Sequence, residues 1–262
     1  MKISIITVTY NSEKTLQDTI DSVLMQTYPD IEYIVVDGNS QDNTLNMIKE
    51  NEPKFNGKMK WISEPDNGIY DAMNKGIKLA TGNIIGILNS DDILADETTI
   101  EQIVSLFEEN KCDAVYGNLI YQSNGKPVRH WKSNKFRSKS LHFGWMPPHP
   151  TLYCTKEVYD KLGIFDSAFR ISADYDIILR IFKNKNLKSI YSPKTIVVMN
   201  QGGISNVSLK SKLLKSKEDY LVLKKNKINP PFLVVFFKNI RKFYQFIRAR
   251  KEFTSSYPPR IH

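Results

Sequence analysis

The sequence predicts an α/β domain with a mostly parallel sheet and flanking helices, for two reasons. Apolar runs alternate with amphipathic stretches over the first third of the chain, and this alternation is typical of parallel strands joined by helices. The length of 262 residues and the 41% hydrophobic content suit one such domain with an extension, or two small domains. The predicted strands of this part are "KISIITVTY", "IEYIVVD", "KMKWIS" and "NIIGILN".

Helices are predicted where apolar residues recur at spacings of three and four. Three of them join the four strands: one over residues 13–25, one from the turn "GNSQDNT" to Ile48, and one over residues 69–79. Further along, helices are predicted over residues 98–109, over residues 156–162 and in "SADYDIILRIFKN". A hairpin is predicted around residues 123–125, and a strand in "LKSIYSPKTIVVM".

The net charge of +9 belongs to the C-terminal part of the chain. From Leu209 onward there are 14 Lys and Arg residues against three acids, which leaves 23 basic and 25 acidic residues before it. The preceding part is therefore close to neutral, and residues 209–262 are interpreted as a basic tail.

Cysteine content and hydropathy favour a reducing compartment. Cys112 and Cys154 lie far apart, without metal-ligand spacing, and are interpreted as reduced buried thiols. The N-terminus "MKISIITVTYN" lacks the long apolar region of a signal peptide, and no stretch reaches the length that spans a bilayer. We therefore expect a cytoplasmic location.

Two adjacent carboxylates follow the fourth predicted strand. Asp91 and Asp92 come directly after Asn89 and Ser90, and two like charges side by side are costly to bury without a cation. Mg²⁺ or Mn²⁺ fits best, since both take carboxylate oxygens and keep positions open for phosphates. The alternative is that Asp91 and Asp92 cap a following helix. Because ligands of such sheets bind beyond the carboxyl ends of the strands, Asp37 and Asp91 are expected at one edge.

Three long segments resemble the family 2 glycosyltransferases, which have the GT-A fold. They read "IITVTYNSEKTLQDTIDSVLMQTYPDIEYIVVDGNSQDNT", "EPDNGIYDAMNKGIKLATGNIIGILNSDDIL" and "HPTLYCTKEVYDKLGIFDSAFRISADYDIILRI". They occur in this order within residues 2–203. The likeness is greatest to bacterial colanic-acid and capsule polysaccharide glycosyltransferases.

The resemblance implies a nucleotide-sugar donor, usually a UDP-sugar, a divalent metal, and inversion at the anomeric carbon. The metal motif of the family is commonly Asp-x-Asp, and its last Asp matches Asp91. Asn89 stands where the first Asp would be, and its neutral amide could bind the ribose or a metal-bound water. Asp92 is expected to assist either as a direct ligand of the metal or by contacting one of its ligands.

The resemblance also implies the donor-binding residues. Asp37 matches the carboxylate that reads the uracil edge, and Tyr10 and the backbone from Thr7 match the floor under the base. Asp66 and Asn74 fall where the donor pocket continues. The alternatives are a turn-capping role for Asp37 and for Asp66, and an ordinary core position for Tyr10.

The acceptor side is implied by the third segment. The family usually has Glu-Asp-x-Asp where this chain has Ala173-Asp174-Tyr175-Asp176, so Asp174 keeps the position of the catalytic base. Asp176 is a weaker acceptor-site candidate, and we expect it to pair with Arg180 four residues on. His149, in "PPHP", matches a histidine beside the acceptor site, with a structural role as the alternative.

Two further segments carry predictions. The loop "NQGGISN", with Lys210 and Lys212 after it, could fold over the diphosphate, or be a plain surface loop. The segment "FLVVFFKNIRKFYQFIRARKEF" has apolar residues at helical spacing with basic residues largely between them. It predicts an amphipathic helix that binds an anionic membrane through residues 232–251, with docking on its own domain as the alternative.

Together these observations predict an inverting, metal-dependent glycosyltransferase acting on a saccharide or lipid-linked saccharide acceptor in surface polysaccharide biosynthesis. Residues 1–208 are predicted to form the GT-A domain, with a nucleotide-sugar half (1–118) and an acceptor half (119–208). The protein is expected as a peripheral protein on the inner face of the cell membrane. The alternatives are a sugar nucleotidyltransferase and a nucleic-acid-binding protein acting through its tail, although no nucleic-acid partner is expected.

Overall fold

The structure is a computed structural model and describes residues 1–123, 125–200 and 209–252; within the last range, side chains are described for residues 211–241. The strands are β1 (Ile3–Thr9), β2 (Ile31–Asp37), β3 (Met59–Ser63), β4 (Ile84–Ile87), β5 (Asp92–Leu94), β6 (Ala114–Ser123), β7 (Lys126–Trp131), β8 (Tyr153–Thr155) and β9 (Ser189–Asn200). The helices are α1 (Leu16–Leu24), α2 (Thr44–Asn51), α3 (Ile69–Leu79), α4 (Thr99–Asn110), α5 (Lys156–Leu162), α6 (Ala173–Lys183), α7 (Leu209–Lys225) and α8 (Pro231–Glu252).

The strands form one sheet in the order β3-β2-β1-β4-β8-β6-β9-β5, with β7 paired to β6. The first four strands pair in parallel, as predicted from their alternation with helices. In the second half, β8 runs antiparallel to β4 and β6, and β5 runs antiparallel to β9. The α/β class is therefore confirmed: the N-terminal half of the sheet is parallel, and the second half is mixed, since β6 and β9 also pair in parallel.

Apolar layers cover both faces of the sheet. Helices α1, α2 and α4 pack on one face, and α3, α5 and α6 pack on the other. Where β4 meets β8, a Cβ atom built on Gly86 would lie 2.1 Å from the ring of Tyr153. A side chain at position 86 would therefore displace the tyrosine or the strand that leads to Asn89.

Most predicted elements are present. Helices α3 and α5 have the bounds expected from the sequence, and β6 and β7 form the predicted hairpin. The alternative in which Asp91 and Asp92 cap a following helix is wrong, because Asp92 begins strand β5 and helix α4 starts only at Thr99.

The C-terminal helices pack against the other helices of the second apolar layer. Val222 and Leu223 of α7 and Val234 of α8 are fully buried within it. On α8, Val235 also packs inward, whereas Phe236 is 58% exposed, so the predicted apolar stripe is divided between the core and the surface. No helix in the described part of the chain is long and apolar enough to cross a membrane.

Lys238 is a basic residue of α8 that does not lie on the exposed side of the helix. Its side chain is only 13% exposed, and its ammonium group lies 2.9 Å from a carboxylate oxygen of Asp219 on α7. Position 238 is on the side of α8 that faces the domain. The Asp219 carboxylate there compensates the buried charge of the lysine.

Candidate active site

The carboxyl ends of the parallel strands align along one edge of the sheet. Thr9, Asp37 and Ser63 pair in register across β1, β2 and β3. Leu88, after β4, donates its N–H to the carbonyl of Ile6 at 2.9 Å, so the polar segment that follows reaches the same edge. The register of the strands therefore gathers the predicted donor and metal residues at one side of the molecule.

A cavity of roughly 210 Å³ opens beside this edge, between the two halves of the sheet. Its polar lining includes Asn89 from the first half of the chain and His149 and Asp174 from the second. The rest of its wall is mostly apolar or aromatic, with Met73 and Met146 among the lining residues. A mostly apolar cavity with a few convergent polar groups is the usual form of a small-molecule site.

Asn89 and Asp92 are joined by a hydrogen bond. Asn89 Nδ2 donates to Asp92 Oδ2 at 2.8 Å, while Asn89 Oδ1 and Asp92 Oδ1 are buried without a partner among the described residues. Burial raises the pKa of Asp91, and burial together with the Asp91 charge raises the pKa of Asp92 well above its usual range. Asp92 is thus fully buried, Asn89 and Asp91 are half-buried, and the two aspartates lie close enough for their charges to interact unfavourably.

Asp174 is the second residue of helix α6, where the helix dipole favours a negative charge. Its Oδ1 atom accepts a hydrogen bond from the Tyr70 hydroxyl at 3.2 Å, and the same hydroxyl lies 2.8 Å from the carbonyl oxygen of Ile171. Burial and the Asp174 carboxylate raise the pKa of Tyr70, so the phenol stays protonated and donates. The carboxylate lines the cavity in a defined orientation.

His149 also lines the cavity. Its ring meets the ring of Phe165 edge-on, with centroids 5.4 Å apart. Burial lowers the pKa of His149 although the Asp174 charge opposes this shift, so the imidazole is neutral near pH 7. A neutral imidazole can accept a hydrogen bond from, or donate one to, a hydroxyl in the cavity.

At the sheet edge, Tyr10 and Asp66 lie around the backbone of Gly38. Tyr10 is 55% exposed, and a Cβ atom built on Gly38 would meet Asp66 Oδ2 at 2.5 Å and the Tyr10 ring at 3.4 Å. Asp37 is fully buried, with its carboxylate accepting from Ser40 and, at 2.7 Å, from the Ser63 hydroxyl. Tyr10 is therefore the exposed group of this corner, and Asp66 is half-buried, with its Oδ1 accepting from the Gly68 N–H at 2.8 Å. The contacts of Asp37 with Ser40, and of Asp66 with Gly68, are those of the turn-capping alternatives.

Of the predicted site residues, Asn89, His149 and Asp174 line the cavity and the other eight, Asp91 and Asp92 among them, do not. Three of these eight make contacts that serve the fold. Asn74 pairs with both backbone groups of Phe165, at 2.9 Å each. Thr7 is buried and accepts a hydrogen bond from the Tyr33 hydroxyl, so its side chain serves the core.

Asp176 is the third of these candidates, and its acceptor-site assignment disagrees with the structure. The side chain is fully buried and forms the expected ion pair with Arg180 at 2.9 Å. Lys225 and Asn226 of the α7 end also donate to it. Because position 176 is half a turn from position 174 on the helix, its carboxylate faces α7 instead of the cavity.

The predicted loop over the diphosphate is residues 200–206; apart from Asn200, which ends β9, it lies outside the described residues. The side chain of Lys210 also lies outside them, and Lys212 is exposed on α7.

Sequence reasoning missed the role of Tyr70 and of a buried arginine. Arg129 lies 4.7 Å from the ring centroids of both Tyr121 and Trp131, and these two rings line the cavity. Residues 129 and 131 are two apart on β7 and so lie on the same face of the strand. This spacing could have indicated that Arg129 lies beside the cavity. Tyr70 lies within the second segment that resembles the family, but no spacing in the sequence relates it to Asp174.

Comparison with known proteins identifies the class to which this fold and site belong. The chain matches the family described as "Glycosyl transferase family 2" over residues 4–174. It belongs to the family 2 glycosyltransferases, which are transferases.

Two curated relatives cover much of the chain. A "PGL/p-HBAD biosynthesis glycosyltransferase" of Mycobacterium bovis (strain BCG / Pasteur 1173P2) is 31% identical over 214 residues, 81% of this chain and 82% of that protein. An uncharacterized glycosyltransferase of Mycobacterium tuberculosis (strain ATCC 25618 / H37Rv) is 32% identical over 184 residues, 68% of each chain.

Solved structures support the fold. Residues 1–349 of TarS from S. aureus, in complex with UDP-GlcNAc, superpose with a TM-score of 0.71 at 20% identity, over 98% of this chain and 82% of that one. The mannosyltransferase PcManGT from Pyrobaculum calidifontis, in complex with GDP-Man and Mn²⁺, gives a TM-score of 0.65 at 17% identity, over 98% and 76%. The chain spans about half of the longer TarS structure, 49% of it.

Proposed function

We propose that the protein is an inverting, divalent-metal-dependent glycosyltransferase that moves a sugar from a UDP-sugar to a saccharide acceptor, free or lipid-linked, for a surface polysaccharide. The observation that carries this proposal is the cavity that brings Asn89 and Asp174 together from the two halves of the chain. Transfer requires the donor phosphates on one side of the sugar and a base on the other. The family assignment favours sugar transfer over the nucleotidyltransferase and nucleic-acid alternatives.

Asp174 is the general base of this proposal. It removes the proton from the acceptor hydroxyl as that oxygen attacks the anomeric carbon from the face opposite the nucleotide, which inverts the configuration. A positioned base contributes about 10²–10⁴-fold to such a step. The Tyr70 hydrogen bond fixes the rotamer of Asp174, and neutral His149 can bind a second acceptor hydroxyl.

Asn89, Asp91 and Asp92 would hold Mn²⁺ or Mg²⁺. The described residues contain no group of three or more His, Cys, Asp or Glu side chains suited to a metal, so the phosphates of the donor would complete the ligand set. The unpartnered oxygens of Asn89 and Asp92 and the raised pKa of both aspartates fit a cation there. The bound metal would neutralise charge on the departing diphosphate. PcManGT, a structural neighbour, is described with Mn²⁺.

The donor nucleotide would bind at the corner formed by Tyr10, Gly38 and Asp66. The exposed tyrosine ring offers a face for the base, and Gly38 leaves room for close approach. Asp37 lies one residue from this corner and could accept from the uracil N3–H only if the contacts with Ser40 and Ser63 rearrange. The complex of TarS with UDP-GlcNAc supports UDP as the nucleotide.

Helix α8 would bind the enzyme to anionic lipid at the inner face of the cell membrane. Phe232, Leu233, Phe236 and Ile240 are exposed on its outer side, at 40–64% of their surface. The segment from Leu209 onward is strongly basic, which complements anionic lipid. An acceptor on a lipid carrier would then be delivered to the cavity.

The experiment that tests this proposal is the Asp174→Asn variant, assayed with Mn²⁺ over a panel of nucleotide sugars. We expect turnover to fall at least about a hundredfold while the affinity for UDP is retained. Asp160→Asn makes the same change on the exposed side of α5 and should leave turnover unaltered. Full activity of the Asp174→Asn variant would reject the proposed base.

A further inference from the structure

The backbone that leads into the helix of Asp174 is held by a carboxylate from α7. Glu218 is buried and accepts three hydrogen bonds from consecutive backbone N–H groups, those of residues 170, 171 and 172, at 3.1, 2.9 and 3.0 Å. These residues directly precede α6, so the carboxylate lies near the N-terminal end of the helix, where the helix dipole favours a negative charge. The start of α6 is therefore shaped by a residue of the basic tail.

The next residue of α7 adds a second attachment. Asp219 Oδ1 accepts a hydrogen bond from the Ser172 hydroxyl at 2.8 Å, while its Oδ2 faces Lys238 Nζ of α8 at 2.9 Å. Lys215 lies further away, at 3.6 Å from Asp219. Ser172 precedes α6 as its N-cap residue, but its side chain makes no capping hydrogen bond. The hydroxyl of Ser172 is thus committed to α7, two residues before Asp174.

Two further contacts hold Lys238 against the domain, one with the Tyr175 ring and one with the backbone of Gly144. Its ammonium group lies 3.4 Å from the centroid of the Tyr175 ring, and Tyr175 follows Asp174 in the chain. A Cβ atom built on Gly144 would lie 2.6 Å from the backbone nitrogen of Lys238, so α8 approaches the domain closely at this residue. Burial lowers the pKa of Lys238 to about 8, although the Asp219 charge opposes this shift.

A buried lysine is a costly way to attach a helix. An apolar side chain of similar size at this position would avoid the desolvation of a charge. The lysine instead connects α8 with residues on both sides of Asp174, through Asp219 to Ser172 and through its own contact with the Tyr175 ring.

We propose that Lys238, Asp219 and Ser172 form a positioning chain for the catalytic carboxylate, through which the packing of helix α8 sets the orientation of Asp174. The proposal rests on the proposed function, in which Asp174 is the general base. None of the three residues lines the cavity, and they act through the first turn of α6. Helix α8 is then part of the catalytic machinery as well as the membrane-facing element.

The test compares Lys238→Met, Lys238→Arg and Ser172→Ala in steady-state kinetics with the full chain. We expect kcat to fall about tenfold in Lys238→Met and in Ser172→Ala, since small displacements of a catalytic group are costly, with the KM for the donor and the affinity for UDP retained. Lys238→Arg should recover part of kcat. Lys224→Met, on the exposed side of α7, makes the same charge change and should behave as the wild type.

The double variant Lys238→Met with Ser172→Ala tests whether the effects of the two residues are coupled. If the two residues act through one chain, the loss in the double variant should match that of either single variant and should not multiply. Wild-type kcat in Ser172→Ala, or multiplied losses in the double variant, would overturn the proposal. A fall in kcat of Lys238→Met that merely follows a loss of UDP affinity would also overturn it.

The Asp174→Asn variant in the same assay separates the two proposals. If Asp174→Asn is inactive and the Lys238 and Ser172 variants match the wild type, the positioning chain is wrong and the base assignment stands. If Asp174→Asn is active, the base assignment itself is wrong.

Discussion

The Tyr70 hydroxyl donates a hydrogen bond to Asp174 Oδ1 at 3.2 Å, and the two residues are 104 positions apart in the chain. Tyr70 lies in the first turn of α3, within the half that carries the predicted donor site. Asp174 lies in the first turn of α6, in the acceptor half. The contact therefore joins the two halves of the site at the carboxylate that the proposed chemistry needs.

Tyr70→Phe should lower kcat without weakening donor binding. The ring remains stacked on Phe165, with centroids now 5.5 Å apart, so the packing is retained and only the hydroxyl is lost. One hydrogen bond contributes about 1 kcal/mol, which is about fivefold in rate. Steady-state kinetics and UDP titration check this result. An unchanged kcat would show that the contact with Tyr70 has no part in orienting Asp174.

Asn89→Asp should make the protein less stable without metal and more responsive to it. The new carboxylate would face Asp92 Oδ2, which Asn89 Nδ2 now contacts at 2.8 Å, and two carboxylates at this distance repel. We expect a lower Tm in chelator and a larger rise with Mn²⁺ and UDP than in the wild type. Asn46→Asp, which makes the same change at an exposed position of α2, is the matched control. Equal responses to Mn²⁺ in both variants would contradict a metal at Asn89.

Glu32→Gln should remove an acid-sensitive part of the stability. Burial alone would raise the pKa of Glu32, but hydrogen bonds from Lys60, Ser4 and Thr81 outweigh it and hold the pKa well below its usual 4.5. A lowered pKa stabilises the fold above pH 4.5, and this contribution is lost as the pH falls further.

Urea unfolding at pH 7 and at pH 3.5 measures this effect. We expect Glu32→Gln to lose on the order of 3 kcal/mol at pH 7 and less at the lower pH. Glu50→Gln, on the exposed side of α2, should follow the wild type at both pH values. A loss that is equal at both pH values would contradict a lowered pKa.

The double variant Phe232→Ser with Phe236→Ser should release the protein from anionic vesicles. These side chains are 64% and 58% exposed, so their removal leaves the core intact, whereas deletion of α8 would also remove buried Val234. Burying one phenylalanine contributes roughly 2 kcal/mol, so binding should weaken at least about tenfold.

Sedimentation with vesicles of phosphatidylglycerol and phosphatidylcholine measures this binding. Met25→Ser changes a side chain of similar exposure, 64%, at the end of α1 and should not alter it. If the double variant still sediments with the vesicles as the wild type does, the outer side of α8 is not the membrane-binding surface.

The sequence predicted the parts of the fold that local patterns determine. The bounds of α3 follow from apolar spacing and from the stop at Ala80, and the edge that gathers Asp37 and Asn89 follows from parallel strand order. Asp174 was located by its match to a family motif. The pairing of Asp176 with Arg180 could be predicted because residues four apart on a helix are neighbours.

Contacts between distant segments could not be predicted in the same way. Position 238 reads as one more basic residue of an amphipathic helix, and its burial depends on how α8 packs against Gly144 and Asp219. Glu218 and Asp219 are the two acids within residues 209–241, a signal that they have partners, but the sequence does not indicate which. Amphipathic periodicity identifies an apolar face without showing how much of it the domain covers.

A crystal structure of the wild-type protein with UDP and Mn²⁺ tests the central claim most directly, which is that donor phosphates and metal bind beside the cavity of Asp174. We predict an ion between the diphosphate and the Asp91 carboxylate, with Asn89 Oδ1 turned toward the ion or its water, and the uracil ring against Tyr10. A nucleotide bound away from this edge, or an Asp91 side chain that faces away from the phosphates, would contradict the account.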